Sequence, residues 1–409
     1  VMATGIGADT TLARIIHRVE EAQDAKAKTQ AFIDRFSKWY TPAVMVLALA
    51  AGLISGDVVL GLTLLVIGCP GALVISIPVA IVAGIGRSAR NGILIKGGEY
   101  LETSAKISAV AVDKTGTLTE GRPVLTDIVV LNPEADRREV LRWAAAAEAG
   151  SEHPLARPIL DTAREEGVAP EGLPGSVTPV VGKGIVADAH GKRVLIGNVP
   201  LLEQYGIVND AGAAVAANKL AAAGKTPMIV AVDESVLGVI GVADTIREDA
   251  PEMIRRLHAS GVQKVVMLTG DTRLVAEAIG EAVGIDEIHA SLLPEDKLDA
   301  VARLQREGHT VAMVGDGVND APALATADIG VAMGAAGSAV AVETADIALM
   351  GDNLLKLPEA ISLAKRTVNV MRQNIWIALI TVVVLVVGVF AGGVTMAIGM
   401  LVHEGSVLI

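Results

Sequence analysis

Three long stretches without a charged residue constrain the fold of this chain more than any other feature. They run from Trp39 to Gly56, from Val58 to Gly86 and from Ile375 to Val402. A helix needs about 20 apolar residues to cross a bilayer, so the second and third stretches are long enough and the first is slightly short. Helices buried in a soluble core are the alternative, but such helices are seldom uncharged over this length. We therefore predict transmembrane helices in all three stretches.

Charge and composition limit the remaining possibilities. Arg87, Arg90 and Lys96 follow the second stretch directly, and positive residues favour the cytoplasmic side of a membrane. The middle of the chain is therefore predicted to be cytoplasmic. A net charge of -12 with only 2% aromatic residues gives no basis for nucleic-acid binding. Cys69 is the sole cysteine, which excludes an internal disulfide and a four-cysteine zinc site.

The middle region alternates short apolar runs with helical patterns, which is typical of a parallel, doubly wound sheet. We predict strands over Ala109–Val112, Lys264–Leu268 and Thr310–Val314. Helices are expected over Asp249–Ser260, Arg273–Val283 and Glu295–Glu307. Each strand is followed by acidic or hydroxyl side chains, and ligands bind beyond the carboxyl ends of such strands. The three segments are therefore expected to form one site.

The chemistry of that site centres on Asp113. A carboxylate at a strand end can act as a nucleophile and form an aspartyl phosphate, provided that its surroundings neutralise the phosphate charge. Thr115, Thr117 and Thr269 supply hydroxyls, and Lys297 supplies a cation. Asp316 can hold Mg²⁺ together with Asp113, with Asp320 one turn later, because Mg²⁺ binds one or two carboxylates plus phosphate oxygens.

Four segments fit one family together. "DKTGTLTEG" from Asp113, "TGD" from Thr269, "PEDK" from Pro294 and "GDGVNDAPAL" from Gly315 resemble the signature motifs of the P-type ATPases, cation pumps of the haloacid-dehalogenase superfamily. The resemblance extends over nearly the whole chain. It implies a multi-domain α/β protein with transmembrane helices, in which a haloacid-dehalogenase-like, doubly wound phosphorylation domain carries an inserted α/β nucleotide-binding domain. The implied catalytic residues are Asp113, Lys114, Thr115, Thr269, Asp271 and Lys297, and the implied Mg²⁺ site consists of Asp113, Thr115, Asp316 and Asp320.

The resemblance also implies a domain order along the chain. The predicted sequence is a stalk (1–38), two transmembrane helices (39–87), a second stalk with the first part of the phosphorylation domain (88–121), the nucleotide-binding domain (122–236), the second part of the phosphorylation domain (237–355), a stalk (356–374) and further transmembrane helices (375–409). The family also has an actuator domain that carries a Thr-Gly-Glu motif. In this chain Thr4-Gly5 is followed by Ile6, so the motif is not found. We therefore expect the chain to be a fragment that begins just after an actuator domain.

The inserted domain resembles the heavy-metal-transporting branch of the family. "SEHPLA" from Ser151 and "GKG" from Gly182 are similar to its nucleotide-binding signatures. A histidine before proline is on its own more often an ordinary loop residue. By the resemblance, the residues that bind ATP are Glu148, His153, Gly182, Gly184, Asn198 and Gly270.

The predicted ion site lies in the second apolar stretch, at "GCPGALVISIPVA". Pro70 removes a helix hydrogen bond and should interrupt the helix beside the Cys69 thiol. A lone buried cysteine that packs as a small apolar residue is the alternative. The heavy-metal pumps carry Cys-Pro-Cys or a related triplet here, whereas this chain has Gly71 at the third position.

His403 and Glu404 in "HEGS" either mark the membrane edge or resemble the final-span motif of divalent-cation pumps. One sulfur with imidazole and carboxylate ligands favours a divalent ion. Our prediction is Zn²⁺, with Cd²⁺ or Co²⁺ as further candidates.

We thus predict an ATP-driven metal pump with Mg²⁺ and ATP as cofactors, in a plasma or inner membrane, with cytoplasmic catalytic domains. Expected partners are ATP, the metal cation, lipid and either a metallochaperone or domains outside this sequence. The alternatives are a pump for Fe²⁺, Mn²⁺ or Cu⁺, a membrane-tethered phosphatase of the same superfamily, and a metal-binding scaffold without activity. A phosphatase of this fold usually has an acid/base aspartate two residues after the nucleophile, where this chain has Thr115.

Overall fold

The computed structural model describes residues 28–69, 71–151, 153, 155–207, 211–315, 320–334 and 345–406. Two compact units divide the chain. The first unit comprises Val1–Ala109, Arg256–Val262 and Leu304–Ile409, and the second comprises Val110–Arg255 and Gln263–Arg303.

The first unit begins with three helices: α1 (Lys28–Ser55), α2 (Val58–Ile67) and α3 (Gly71–Arg90). Asp57 separates α1 from α2, and its carboxylate accepts hydrogen bonds from the backbone N–H groups of Val59 and Leu60 at 2.8 and 3.1 Å. The second apolar stretch is thus not one helix, because the chain leaves helical geometry between Ile67 and Gly71. This break falls where the sequence predicted it, although Pro70 itself lies outside the described residues.

The third apolar stretch also breaks, which the sequence did not predict. Helix α13 (Lys356–Phe390) ends before Gly392, whose φ of 72° suits glycine, and α14 (Met396–Gly405) begins after Thr395. His403 therefore lies within a short helix rather than at the end of one long span. By length and composition, two segments of the described helices could cross a membrane, Arg35–Ser55 and Lys356–Phe390.

The first unit also holds four strands, in the order β1 (Ile93–Ile95), β13 (Ile347–Leu349), β12 (Ile329–Ala332) and β11 (Val311–Gly315). β11, β12 and β13 are parallel, and β1 pairs with β13 in the antiparallel direction. Every residue of these four strands is buried. Continuous burial is typical of a sheet covered on both faces. The shorter helices of this unit are α4 (Gly98–Ser104) and α12 (Ala321–Thr326), together with the end of α9 (Ala250–Ala259).

The second unit contains a six-stranded antiparallel sheet in the order β3–β8–β7–β6–β5–β4. Its strands are β3 (Val124–Val130), β4 (Ser176–Val180), β5 (Gly184–Ala189), β6 (Lys192–Gly197), β7 (Thr226–Val232) and β8 (Ser235–Ala243). Strand β8 runs to Ala243, so this sheet continues past residue 236, where the predicted nucleotide-binding domain ends; the domain bounds stay a prediction.

Alternation along these strands builds one core on each face of the sheet. Val194 and Ile196 pack with helices α5 (Arg137–Glu148) and α6 (Ala156–Glu165), whereas Leu195 packs with α7 (Val199–Gln204) and α8 (Ala211–Ala222). Successive side chains of a strand point to opposite faces, so both faces of this strand are apolar and both are covered.

The second unit also holds the strands that carry the predicted site, in the order β2 (Ala109–Asp113), β9 (Lys264–Leu268) and β10 (Glu287–His289). Helix α10 (Arg273–Val283) follows β9, and α11 (Pro294–Arg306) follows β10. The predicted strands and helices of this region are therefore present, with ends that differ by at most one residue from those expected.

Candidate active site

Asp113 is the last residue of β2, and all five residues of that strand are buried. The chain then makes one wide turn over Lys114–Leu118, in which Gly116 has a φ of 74°. Such a backbone conformation is costly for residues with a Cβ atom, so glycine permits the turn. The strand thereby places the Asp113 side chain at its C-terminal end. The residue is only 7% exposed to solvent.

Lys297 faces that carboxylate from the first turn of α11. Its Nζ lies 2.6 Å from Asp113 Oδ1, and the two side chains are 12% and 10% exposed. A buried carboxylate is costly unless it is paired with a cation, so Lys297 stabilises the ionised Asp113 side chain. The same ammonium group stands beside the atom that would receive a phosphoryl group.

The "TGD" segment after β9 forms a second ion pair near the turn. Lys114 Nζ lies 2.5 Å from Asp271 Oδ2, and the Lys114 side chain is buried. The backbone N–H of Asp271 donates a hydrogen bond to Thr269 Oγ1 at 3.1 Å. Gly270 separates these residues, and a Cβ added there would approach the Leu292 carbonyl to 3.3 Å. Thr269, Asp271 and Lys114 thus lie in one connected cluster.

The three threonines of the turn differ in their surroundings. Thr115 is exposed, whereas Thr117 is fully buried and its hydroxyl has no hydrogen-bond partner among the described residues. Thr119 is tied to Asp244, with its hydroxyl donating to a carboxylate oxygen at 2.5 Å. The Thr115 and Thr117 hydroxyls thus differ in burial, and their contact with a phosphate stays a prediction.

Asp244 and Arg247 are residues that the sequence interpretation missed. Asp244 also accepts hydrogen bonds from the backbone N–H groups of Gly121 and Arg122, at 3.2 and 3.1 Å. Arg247 donates to the backbone carbonyls of Thr119 and Gly116 at 3.1 and 3.3 Å. Asp244 and Arg247 thus bind the backbone around the Lys114–Leu118 turn. They lie between this turn and the antiparallel sheet, just after β8. The signal was the polar "DTIR" that follows the apolar run of β8.

The predicted Mg²⁺ ligands are described only in part. Asp316 lies outside the described residues. Asp320 is 2% exposed and lies against Gly315, where an added Cβ would come within 2.5 Å of its Oδ2 atom. Carboxylate oxygens are the ligands that Mg²⁺ takes, so the buried carboxylate of Asp320 is chemically suited to this ion.

Glu148 ends helix α5 and is 4% exposed. Burial raises the pKa of its carboxyl above the ordinary 4.5, against an opposing hydrogen bond from Ser151. Its Oε2 atom is buried and has no hydrogen-bond partner among the described residues. An acceptor without a partner in a buried place costs free energy until a donor arrives, which fits an amino group of a bound nucleotide.

His153 follows Glu148 in the next loop. Its Nδ1 accepts a hydrogen bond from the backbone N–H of Leu155 at 3.2 Å. Desolvation lowers the pKa of the imidazole below 6.5, although the side chain is still exposed to solvent. The neutral ring is therefore available at neutral pH for stacking or for hydrogen bonding through Nε2.

The glycines of "GKG" have different roles. Gly182 has a φ of 71° and open space around its Cα, and its carbonyl accepts a hydrogen bond from the Asn198 side chain at 3.0 Å. At Gly184, by contrast, an added Cβ would lie 2.1 Å from the Ile196 carbonyl oxygen. Gly184 thus permits close pairing of β5 with β6, whereas Gly182 leaves room for a ligand beside Asn198.

The predicted ion site is only partly formed in the described residues. His403 is 3% exposed, and its Nε2 donates a hydrogen bond to the Cys69 carbonyl at 2.8 Å. Glu404 lies 3.5 Å from the other ring nitrogen, but its side chain is 69% exposed. Within the described ranges, no three His, Cys, Asp or Glu side chains are placed to hold a metal together. The structure therefore joins Cys69 and His403 but does not bring Glu404 to the thiol.

Gly71 borders the same space. A Cβ added at this position would lie 3.7 Å from Cys69 Sγ and 4.0 Å from His403 Cε1. Both are ordinary van der Waals distances, so a side chain at position 71 would fit and would point between the thiol and the imidazole. Because position 71 is glycine rather than the second cysteine of the triplet, the space between the Cys69 thiol and the His403 ring has no side chain from this position.

Comparison with known proteins places this site in a class. Residues 107–328, more than half of the chain, match the model of the haloacid dehalogenase-like hydrolases. The fold and the nucleophile loop therefore define a haloacid-dehalogenase-like protein.

More specific relatives cover more than nine tenths of the chain. It is 43% identical over 412 residues to a cadmium-transporting ATPase of Staphylococcus aureus, which spans 98% of this chain and 57% of the relative. It is also 43% identical over 378 residues to a manganese-exporting P-type ATPase of Mycobacterium bovis, across 91% of this chain and 52% of the relative. The chain thus spans little more than half the length of these relatives.

A solved structure of a zinc-transporting PIB-type ATPase in the E2.Pi state is similar over 99% of this chain and 66% of that protein, with 42% identity and a TM-score of 0.73. The chain therefore belongs to the P-type ATPases, in their heavy-metal-transporting branch. This confirms the predicted fold class, a haloacid-dehalogenase-like domain with a nucleotide-binding domain and apolar helices.

Proposed function

We propose that this chain is the catalytic and ion-conducting part of a pump that couples ATP hydrolysis to the transport of a divalent heavy-metal cation. The observation that carries the proposal is the 2.6 Å contact between Lys297 Nζ and the strand-end carboxylate of Asp113. A buried, cation-paired aspartate with Thr115 rather than an acidic residue two positions later suits a phosphoenzyme that persists long enough to drive transport.

In the first chemical step, an Asp113 carboxylate oxygen attacks the γ-phosphorus of ATP. The bond between that phosphorus and the β,γ-bridging oxygen breaks, and ADP leaves. Lys297 offsets the charge that accumulates on the transferred group, and the Thr269–Asp271 segment lies in the same cluster. Water later cleaves the acyl phosphate, which releases inorganic phosphate and restores the carboxylate.

Asp113 and Asp316, with Asp320 and Thr115 nearby in sequence, would hold Mg²⁺. The ion neutralises phosphate charge when it is bound. The residues of the chain supply the rest: Lys297 orients the nucleophile, and Lys114 is held by Asp271.

The inserted domain is proposed to bind the nucleotide. Glu148 offers a buried acceptor for an amino group, His153 a neutral ring, and Gly182 with Asn198 an open turn. Gly184 supports this turn through strand pairing, and Gly270 lets the "TGD" backbone approach the phosphate.

The transported ion is proposed to pass the Cys69–His403 contact. One thiolate, one imidazole and backbone carbonyls form a mixed donor set that suits Zn²⁺ or Cd²⁺ better than Cu⁺. The names of the relatives mention cadmium, manganese and zinc, which supports a divalent ion and keeps Mn²⁺ as the second candidate. We further propose a plasma or inner membrane location with cytoplasmic catalytic domains. A metallochaperone, or other domains of the full-length protein, would deliver the ion.

The test is ATPase activity of the full-length protein across Zn²⁺, Cd²⁺, Co²⁺, Fe²⁺, Mn²⁺ and Cu⁺. We expect Zn²⁺ and Cd²⁺ to stimulate hydrolysis most, and stimulation should disappear in Cys69→Ser and His403→Ala. Hydrolysis that no metal stimulates would contradict transport and would favour the membrane-tethered phosphatase.

A further inference from the structure

A groove of about 860 Å³ lies in the first unit, apart from the sites described above. One wall is a single face of α3, with side chains three or four residues apart from Ala80 to Asn91. The other wall is the facing side of α13, and the end of α9 contributes Arg256 to Ser260. The two long helices touch within the groove, since a Cβ added at Gly84 would lie 2.7 Å from Thr367. The two helices are therefore closely packed at this point of the groove.

The charge within this groove is unbalanced. Three guanidinium groups line it, those of Arg87, Arg256 and Arg366, against the single carboxylate of Glu359. Asn91 already donates a hydrogen bond to that carboxylate. Arg87 and Arg366 are exposed and have no ion pair or hydrogen bond with another described residue. Guanidinium groups bind phosphate through paired hydrogen bonds, so the groove favours a phosphate-bearing anion.

Apolar side chains line one part of the walls, alongside polar ones such as Ser362 and Thr367. Ala80, Ala83 and Val370 line the part of the groove nearest the uncharged stretches of α3 and α13. Inorganic phosphate would use the arginines but leave this apolar surface in water. An amphiphile with a phosphate at one end would cover both parts.

The position of the groove along its helices matches a membrane interface. Arg87 is the first charged residue after the uncharged stretch of α3. Trp376 is six residues beyond Val370 on α13, about 9 Å at 1.5 Å per residue, and its side chain is 65% exposed. Exposed tryptophans are typical of the boundary between lipid and water. The apolar part of the groove thus lies about 9 Å from this boundary along α13, with Arg372 between them, and Arg87 and Arg366 lie further toward the aqueous side.

We propose that this groove binds an anionic phospholipid, with its phosphate between Arg87 and Arg366 and its first acyl carbons along Ala80, Ala83 and Val370. Basic pockets between membrane helices on the cytoplasmic side bind anionic headgroups in this way. The site is separate from the ATP and ion sites, so the proposal does not depend on transport.

The experiment measures lipid binding to the full-length protein in detergent, without ATP or metal, by native mass spectrometry. The probe is dioctanoyl phosphatidylglycerol, with dioctanoyl phosphatidylcholine and inorganic phosphate as competitors. The test variant is Arg87→Gln with Arg366→Gln. The matched control is Arg90→Gln with Arg372→Gln, which removes two exposed arginines from the same helices outside the groove.

We expect one phosphatidylglycerol to bind the wild-type protein and the control equally, and the test variant about tenfold more weakly. Inorganic phosphate and phosphatidylcholine should not displace it at equal concentration. Equal binding by all three proteins would overturn the site, and displacement by phosphate alone would show a site for a soluble anion instead. If the double variant unfolds, Arg366→Lys carries the test, because it keeps the charge but loses the planar fork and should weaken binding severalfold. Unchanged binding by that variant would overturn the assignment of Arg366.

Discussion

The proposed phosphorylation centre around Asp113 and the proposed ion site around Cys69 differ in how completely their side chains are brought together. At Asp113, residues as far apart in sequence as Lys297 meet in contacts of about 2.6 Å with little solvent exposure. At Cys69, one hydrogen bond from His403 is formed, while the thiol and the Glu404 carboxylate are exposed. A catalytic centre gains from fixed geometry, whereas an ion site in a pump must form and dissolve as states exchange.

Substitution of Lys297 should have the largest effect, on the rate of phosphoenzyme formation. We expect Lys297→Met to slow phosphoenzyme formation on the order of 100- to 1,000-fold, because the transferred charge loses its fixed cation. Rapid-quench kinetics with labelled ATP would measure this. The matched control is Lys264→Met, which removes a lysine that pairs with Glu287 on the neighbouring strand β10. Equal slowing by both variants would mean that Lys297 acts through general stability.

The less completely formed site, around Cys69 and His403, is tested by Gly71→Cys. The added Cβ fits beside Cys69 Sγ and the His403 ring, so the variant places a second thiol at the proposed ion site. Soft ligands favour thiophilic ions, and we expect the preference for Cd²⁺ over Mn²⁺ to rise about 10- to 100-fold in metal-stimulated ATPase assays. Gly86→Cys on the same helix is the control, because nothing lies within 4 Å of its added Cβ. An equal shift in the control would place the ion site elsewhere.

Substitutions of Glu148 test whether the proposed nucleotide site is formed before a ligand binds. Its raised pKa means that the folded state holds the proton more tightly than the unfolded state. Its contribution to the free energy of unfolding is therefore greatest below pH 4.5 and is lost as the pH rises through the raised value. Glu148→Gln should unfold at a higher temperature than wild type at pH 7.5 and at the same temperature near pH 4.

Glu148→Ala should lower the affinity for ATP about tenfold. Glu148→Gln keeps a hydrogen-bond acceptor and should lower that affinity less. Calorimetry with the full-length protein would give both affinities. Unchanged ATP affinity in the alanine variant would remove Glu148 from the nucleotide site.

The smallest expected difference separates the two glycines of "GKG". Gly184→Ala forces a Cβ against the Ile196 carbonyl and should lower the free energy of unfolding by about 1–3 kcal/mol. Gly182→Ala has open space and should cost about 1 kcal/mol for its positive φ. Thermal unfolding would rank them, and a reversed order would contradict the assigned roles.

Particular residues show how far the sequence could predict this molecule. Asp113 and Lys297 were predictable because buried strands and short motifs fix where their side chains must lie. The role of Asp244 was not predictable, because its carboxylate accepts hydrogen bonds from three donors more than 120 residues away in sequence. The helix break before Thr395 was hidden as well, since Gly392-Gly393 inside an apolar stretch is compatible with either a continuous or a broken helix. Glu404 was assigned to the ion site from its motif, but its orientation depends on packing that no local pattern records.

Acid-stable labelling of the full-length protein with γ-labelled ATP tests the central claim most directly. Wild type should carry label on Asp113, and Asp113→Asn should carry none, because an amide cannot form the acyl phosphate. Undiminished label in Asp113→Asn would contradict the account.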